Sequence, residues 1–222
     1  MYDAPTLRCA RALAPVGKAG AAGAPDLLEL RVDGFAARPE TLDALARRAP
    51  RPLLVTVRHP AEGGMAAGLG TAARRALYAR FLPVAALVDV EVRSLRALAG
   101  TIREARAGGC RVVASFHDFR GLPGRARLRE AVSRARDAGA DVCKVAATLR
   151  SPTDLARLLD FLAEEGRRLP LAVMGMGPGG KMSRPVLGAA GSVLNYGFLG
   201  RKPQVPGQWP AAELRARINE LR

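Results

Sequence analysis

Short apolar runs of strand length alternate with longer stretches whose apolar residues recur at helical spacing, and the alternation persists along nearly the whole chain. The strand-like runs are Leu7–Leu13, Leu27–Val32, Pro52–Arg58, Leu87–Val92, Arg111–Ser115, Val142–Ala146, Leu171–Met174 and Val193–Tyr196. Helices are predicted over Pro39–Ala49, Thr71–Leu82, Ser94–Ala107, Arg125–Ala138, Pro152–Arg167, Ser183–Ala190 and Pro210–Leu221, several of them opened by Pro, Ser or Thr at a capping position. Such alternation gives an α/β fold with a parallel sheet, and eight units favour a closed (β/α)8 barrel of the TIM type, with an open doubly wound sheet as second reading. The barrel is expected to occupy residues 1–222 as a single domain. Its weakest unit is the first, because the connection Ala14–Pro25 is rich in Ala, Gly and Pro and leaves little room for a crossover helix.

Side chains of a strand alternate between two faces, so each run divides into a helix-facing and a barrel-facing set. In the second run Leu28, Leu30 and Val32 form the apolar set, leaving Leu27, Glu29 and Arg31 to point inward. The same division sends Leu54, Thr56 and Arg58 inward, then Asp89 with Glu91, then Val113, Ser115 and His117, then Val142, Lys144 and Ala146. Strands buried on both faces are normally apolar throughout, and an unpaired buried charge costs several kcal/mol. The inward charges must therefore compensate one another or a ligand. Arg31, Arg58 and His117 also end their runs, on the face where barrel enzymes place their chemistry.

Composition sharpens one of these positions. The net charge of +15 is carried by arginine, and lysine is confined to positions 18, 144, 181 and 202. Lys144 lies in Val-Cys-Lys-Val-Ala-Ala, where desolvation and nearby arginines favour the neutral amine, a nucleophile toward carbonyls. His117, on the strand before it, is a better proton shuttle than His59, which follows Arg58 in a Pro/Gly-rich loop. A lysine snorkelling from a strand end and a core histidine are the structural alternatives. The positive charge is spread over predicted helix faces with few aromatics, which argues against a nucleic-acid surface. No run is long enough to cross a membrane, and Cys9, Cys110 and Cys143 are too far apart for a zinc or dithiol motif, so a cytoplasmic protein with no metal site is expected. Gly175-Met-Gly-Pro-Gly-Gly-Lys181 has phosphate-loop spacing, but Met182 stands where a magnesium-binding hydroxyl is needed. An anion-binding turn leading to Ser183-Arg184 fits it better.

With these residues in view, the sequence resembles type I 3-dehydroquinate dehydratase, the Schiff-base enzyme of the shikimate pathway. The likeness runs from Asp26 to Gln208 through DLLELRVD, TVRHPAEGG, LVDVEV, VVASFHDF, ADVCKVA, the stretch ending at Ser183-Arg184, and VPGQ. It implies that Lys144 forms the imine, that His117 is the acid/base, and that Glu62 stands beside that histidine. It further implies that Glu29, Arg31 and Arg58 bind or order the hydroxyls of 3-dehydroquinate, that Arg184 clamps its carboxylate, and that Gln208 belongs to a lid near residues 200–208. Gln204 stands where the family usually has Ser or Thr, and is carried as a substrate-binding position. The resemblance implies a homodimer acting on a small molecule without a cofactor. Another imine-forming lyase or aldolase of a small anionic keto-acid, and a catalytically silent barrel, are the alternatives.

Overall fold

The computed structural model describes residues 7–10, 25–200, 203 and 206–222. Strands form close to each predicted run: β1 (Leu7–Ala10), β2 (Leu27–Arg31), β3 (Leu53–Thr56), β4 (Ala85–Glu91), β5 (Arg111–Asp118), β6 (Val142–Thr148), β7 (Leu171–Met176) and β8 (Tyr196–Phe198). Between them lie α1 (Asp43–Arg47), α2 (Thr71–Phe81), α3 (Ala99–Ala107), α4 (Arg125–Asp137), α5 (Pro152–Glu165) and α6 (Gly180–Ala189), with α7 (Ala211–Glu220) at the end. The best capped is α5, where the Ser151 hydroxyl accepts from the Asp154 N–H, the Asp154 carboxylate answers to the Ser151 N–H, and Pro152 occupies the first turn. The predicted helix over 39–49 is shorter than expected, a 3-10 turn at Pro39–Leu42 running into α1.

Strands β2 to β7 pair in parallel and in chain order, as the alternation requires. The first unit departs from expectation: β1 lies between β2 and β8 and runs antiparallel to both, so the eight-stranded sheet is not parallel throughout. The physical reason lies in the connection. A parallel return needs a crossover, usually a helix whose apolar stripe covers the sheet, and the Ala/Gly/Pro-rich stretch after β1 offers no such stripe. The seam with β7 is approached by the segment before β8, where Val193 N–H donates to the Leu171 carbonyl at 2.9 Å.

Two apolar layers result. Leu28, Leu30, Val55, Val88, Val112, Val145 and Val173 pack outward against helix residues such as Leu77, Ile102, Leu128 and Leu158. Leu27, Leu54, Val113, Val142, Ala172 and Leu194 fill the barrel interior. The period-2 division of each strand is thus the division of the core, and the polar members of the inward set sit above the inner apolar layer. Close helix packing finishes the barrel at Gly175, where an added Cβ would lie 2.2 Å from the Ser183 hydroxyl of α6.

Candidate active site

Parallel register brings the inward polar residues of neighbouring strands to common heights. Arg31 is level with Thr56 and Thr56 with Asp89, while Glu91 is level with Ser115 and Ser115 with Lys144. From these heights a connected cluster forms. Arg58 lies just beyond β3 and grips Asp89 through two hydrogen bonds of 3.0 and 2.9 Å; it also reaches Glu91 at 3.2 Å and the Ser115 hydroxyl at 2.5 Å. Lys144 shares the Asp89 Oδ2 oxygen with Arg58, donating from Nζ at 3.1 Å, and its ammonium lies 4.2 Å from the centre of the Tyr196 ring. Glu29 accepts from the Thr56 hydroxyl at 2.8 Å. The charges that the sequence sends inward therefore compensate one another to a large degree.

A second cluster borders the same cavity. His117 Nδ1 lies 2.9 Å from a Glu62 carboxylate oxygen, which also accepts from the His117 backbone N–H at 3.1 Å. Glu62 sits in the 3-10 turn Pro60–Glu62. That turn is held by Arg31, whose guanidinium pairs twice with Asp33 at 2.8 and 2.7 Å and donates to the Gly63 carbonyl at 3.0 Å. Asp33 in turn accepts from Met65 N–H at 2.9 Å. Glu29, Arg31, Arg58, Glu62, His117, Lys144, Arg184 and Gln208 all line one cavity, so the structure gathers eight of the nine residues singled out in the sequence. Gln204, with positions 201, 202 and 205 of the expected lid, lies outside the described residues.

The far wall shows how the glycine-rich turn is used. Gly177–Gly179 forms a 3-10 turn that enters α6, and Arg184 on that helix is buried at the cavity with one guanidinium N–H on the Tyr196 carbonyl at 2.9 Å. Pro185 falls inside the helix, where it cannot donate to the Lys181 carbonyl four residues back. Trp209 fills the gap: its indole N–H donates to that carbonyl at 2.7 Å, and its ring lies 4.7 Å from the Lys181 ammonium. Gln208, the preceding residue, is thereby held at the cavity edge. Lys181 thus packs on an aromatic ring and does not serve a phosphate loop. His59 is also accounted for, since its Nδ1 accepts the Ala61 N–H at 3.0 Å and caps the turn carrying Glu62.

Sequence reasoning sent Asp89 and Ser115 inward without giving either a role at the site, and it missed Arg74 and Asp33. Arg74 is fully buried on α2, donating twice to the Val57 carbonyl and once to Glu91 at 2.5 Å and so balancing the second carboxylate held by Arg58. A signal for it existed: Arg74, Leu77, Tyr78 and Phe81 fall at i, i+3, i+4 and i+7 and form the buried stripe of α2.

These surroundings set the ionisation of each group. Burial lowers the Lys144 ammonium and Arg58 adds to that, against the opposing pull of Asp89 and Glu29; the outcome is below the ordinary lysine value. Burial alone would raise Asp89, but Arg58 and then Lys144 hold it well below the usual carboxylate range. His117 is pushed well down by burial, then by Arg58 and Lys144, so it is a neutral base near neutrality. Burial raises Glu62 to about 7. That shift has a consequence for stability. The fold prefers the neutral acid, so the stabilisation from this group is complete below its ordinary value of 4.5 and is lost as pH rises through about 7. Glu62→Gln is expected to remove this loss, a difference on the order of 2 kcal/mol after allowance for partial exposure. Urea unfolding of both proteins at pH 5 and pH 8 checks it; equal pH dependence contradicts it.

A buried lysine, an imidazole and a buried arginine thus line one cavity, and comparisons with known proteins place the chain in a family. The model of the family described as type I 3-dehydroquinase matches residues 9–221. A 3-dehydroquinate dehydratase of Klebsiella pneumoniae is 34% identical, with 86% of this chain and 80% of the relative covered. One of Albidiferax ferrireducens is 33% identical over 89% of this chain and 79% of its own length. The crystal structure of 3-dehydroquinate dehydratase from Geobacillus kaustophilus superimposes with a TM-score of 0.81 at 31% identity, covering 89% of this chain and 80% of the other. With the match spanning the sheet, α6 and the segment that carries Gln208, the chain belongs to the type I 3-dehydroquinase family.

Proposed function

We propose that this enzyme converts 3-dehydroquinate to 3-dehydroshikimate and water through an imine on Lys144, with His117 as the acid and base. The observation that carries the reading is a buried lysine of lowered basicity, placed on the same cavity as a neutral imidazole paired with Glu62. A solved type I relative from Clostridium difficile, 25% identical, is described with covalently modified comenic acid, in keeping with a site that forms covalent adducts.

Condensation of the amine with the ketone gives an iminium, which accepts the electron pair released when His117 takes the adjacent proton. The resulting enamine expels the β-hydroxyl, protonated by the same histidine, and water then releases the product from Lys144. Arg184 holds the substrate carboxylate, while Glu29, Arg31 and Arg58 face its hydroxyls and Gln208 its outer edge. Arg31 and Arg58 are already fixed by Asp33 and Asp89, so these donors are oriented before substrate arrives, which lowers the reorganisation needed in the reaction. The proposal takes the single-domain enzyme as a cytoplasmic homodimer with a lid near residues 200–208, which sedimentation, cell fractionation and limited proteolysis with a bound substrate analogue test. Among the described residues no helix is long and apolar enough to cross a membrane.

The direct test is an assay of purified protein with 3-dehydroquinate, followed by borohydride quench and mass spectrometry. Product with a reduced adduct on the protein is expected; turnover without any adduct contradicts the imine. Arg184→Ala is expected to lower kcat/KM by about 2–5 kcal/mol in transition-state terms, because a charge-assisted contact is lost from a water-poor site. Steady-state kinetics read it, and an unchanged kcat/KM assigns the carboxylate to another group.

A further inference from the structure

We propose that Asp89 is the counter-ion of the protonated imine, keeping the nitrogen positive while the neighbouring carbon gives up its proton. This rests on the Lys144 chemistry proposed above. Asp89 touches the reacting atom itself: Oδ2 is 3.1 Å from Nζ, and none of the carboxylate is exposed. Its orientation is fixed by two further donors, Arg58 with one hydrogen bond to each carboxylate oxygen and the Ser115 hydroxyl, which donates to Oδ1 at 2.5 Å. The nitrogen stays on the same side chain when the ammonium becomes an iminium. The one N–H that remains has a fixed acceptor waiting for it.

The balance of the reaction shows where that acceptor acts. The ammonium gives one proton to His117, the amine lone pair attacks the ketone carbon, the proton returns to the departing hydroxyl as water leaves, and the C=N bond left with one N–H carries the positive charge. When His117 takes the α-proton, the C–H electron pair forms a C=C bond and the C=N π-pair becomes the nitrogen lone pair. That pair then re-forms the iminium as hydroxide departs with the proton from His117, and water adds to release the ketone and the amine. Positive charge sits beside Asp89 in both iminium states, and a neutral imine is a much poorer acceptor of electrons. The other charged or titratable groups lining the cavity that holds this nitrogen are Glu29 and Arg31 from β2, Arg58 beyond β3, Glu62, His117 from β5 and Arg184 from α6, while Glu91 from β4 pairs with Arg58. Burial opposes the positive nitrogen and Arg58 adds to that, while Asp89, ahead of Glu29, is the strongest pull toward the charged form, so removing Asp89 shifts the balance toward the neutral imine.

The test starts from the product, whose conjugated ketone forms an imine that absorbs at longer wavelength when protonated. 3-Dehydroshikimate is added to the wild type, Asp89→Asn and Asp89→Glu, and the long-wavelength band is titrated with pH. The midpoint is expected to fall by about 1–3 units in Asp89→Asn and to recover in Asp89→Glu, since an adjacent opposite charge shifts ionisation by that amount. Turnover of Asp89→Asn should drop about a hundredfold at alkaline pH, while borohydride still traps its adduct at mildly acid pH. Lost turnover with an unmoved midpoint makes Asp89 a structural residue only and overturns the proposal. Should Asp89→Asn fail to fold, a crystal structure of the wild type with the product imine decides. Nitrogen within hydrogen-bond reach of Asp89 upholds the counter-ion, and nitrogen turned away from it refutes it. A wild type that forms no imine overturns the Lys144 reading and the counter-ion together, whereas an imine with an unmoved midpoint removes only the counter-ion.

Discussion

Lys144→Ala is expected to abolish dehydration, by at least about four orders of magnitude, and to leave no lysine that borohydride reduces onto 3-dehydroquinate. The size of the effect follows from the chemistry. Without an iminium the electrons released at the α-carbon have only a ketone oxygen to receive them, a much poorer acceptor than a protonated imine. Lys181 cannot substitute, because its ammonium packs over Trp209. The variant should still fold: Asp89 keeps its two hydrogen bonds from Arg58 and the bond from Ser115, so no buried carboxylate is left unpaired. Thermal unfolding alongside peptide mapping of the reduced wild type separates loss of chemistry from loss of structure. A reduced adduct on Lys181 or Lys202, or residual turnover within tenfold of wild type, refutes the assignment.

His117→Ala is expected to lose about 10²–10⁴-fold in turnover while still forming a trappable imine. Nucleophile and base belong to different strands, β6 and β5, and to different hydrogen-bonded clusters, one centred on Asp89 and the other on Glu62. Removing the imidazole therefore leaves the contact between Lys144 and Asp89 in place. The Glu62 carboxylate also retains its bond from the residue 117 backbone N–H. In the wild type the acid limb of kcat/KM should lie below the ordinary histidine value of 6.5, because burial, Arg58 and Lys144 all disfavour the imidazolium. Rapid-quench measurement of adduct formation against steady-state turnover distinguishes the two functions. If both fall together, or neither falls, His117 is not the proton carrier.

Much of this was legible in the amino-acid order. Alternating apolar and amphipathic stretches determine strands and helices, because each must bury one face. The two-residue period of a strand then determines which side chains point inward, which is why Glu29, Arg31, Arg58, His117 and Lys144 could be assigned to one interior before any coordinates. The rarity of lysine and the apolar run around Lys144 marked the nucleophile.

What the period cannot determine is which inward charge meets which, since that depends on register between strands far apart in sequence. Arg58 pairs with Asp89 and Glu91, 31 and 33 residues away, whereas Arg31 turns to Asp33, only two residues on. The burial of Arg74 on an otherwise apolar stripe, the capping use of His59 and the indole of Trp209 at the carbonyl vacated by Pro185 likewise exist only once helices and loops are packed. The place of β1 belongs to the same class: its sequence specifies a strand followed by a connection without a crossover helix, while only the packed sheet seats it between β2 and β8. Local patterning determines what each segment must bury, and the partner of every buried polar group is chosen by neighbours that only the folded barrel supplies.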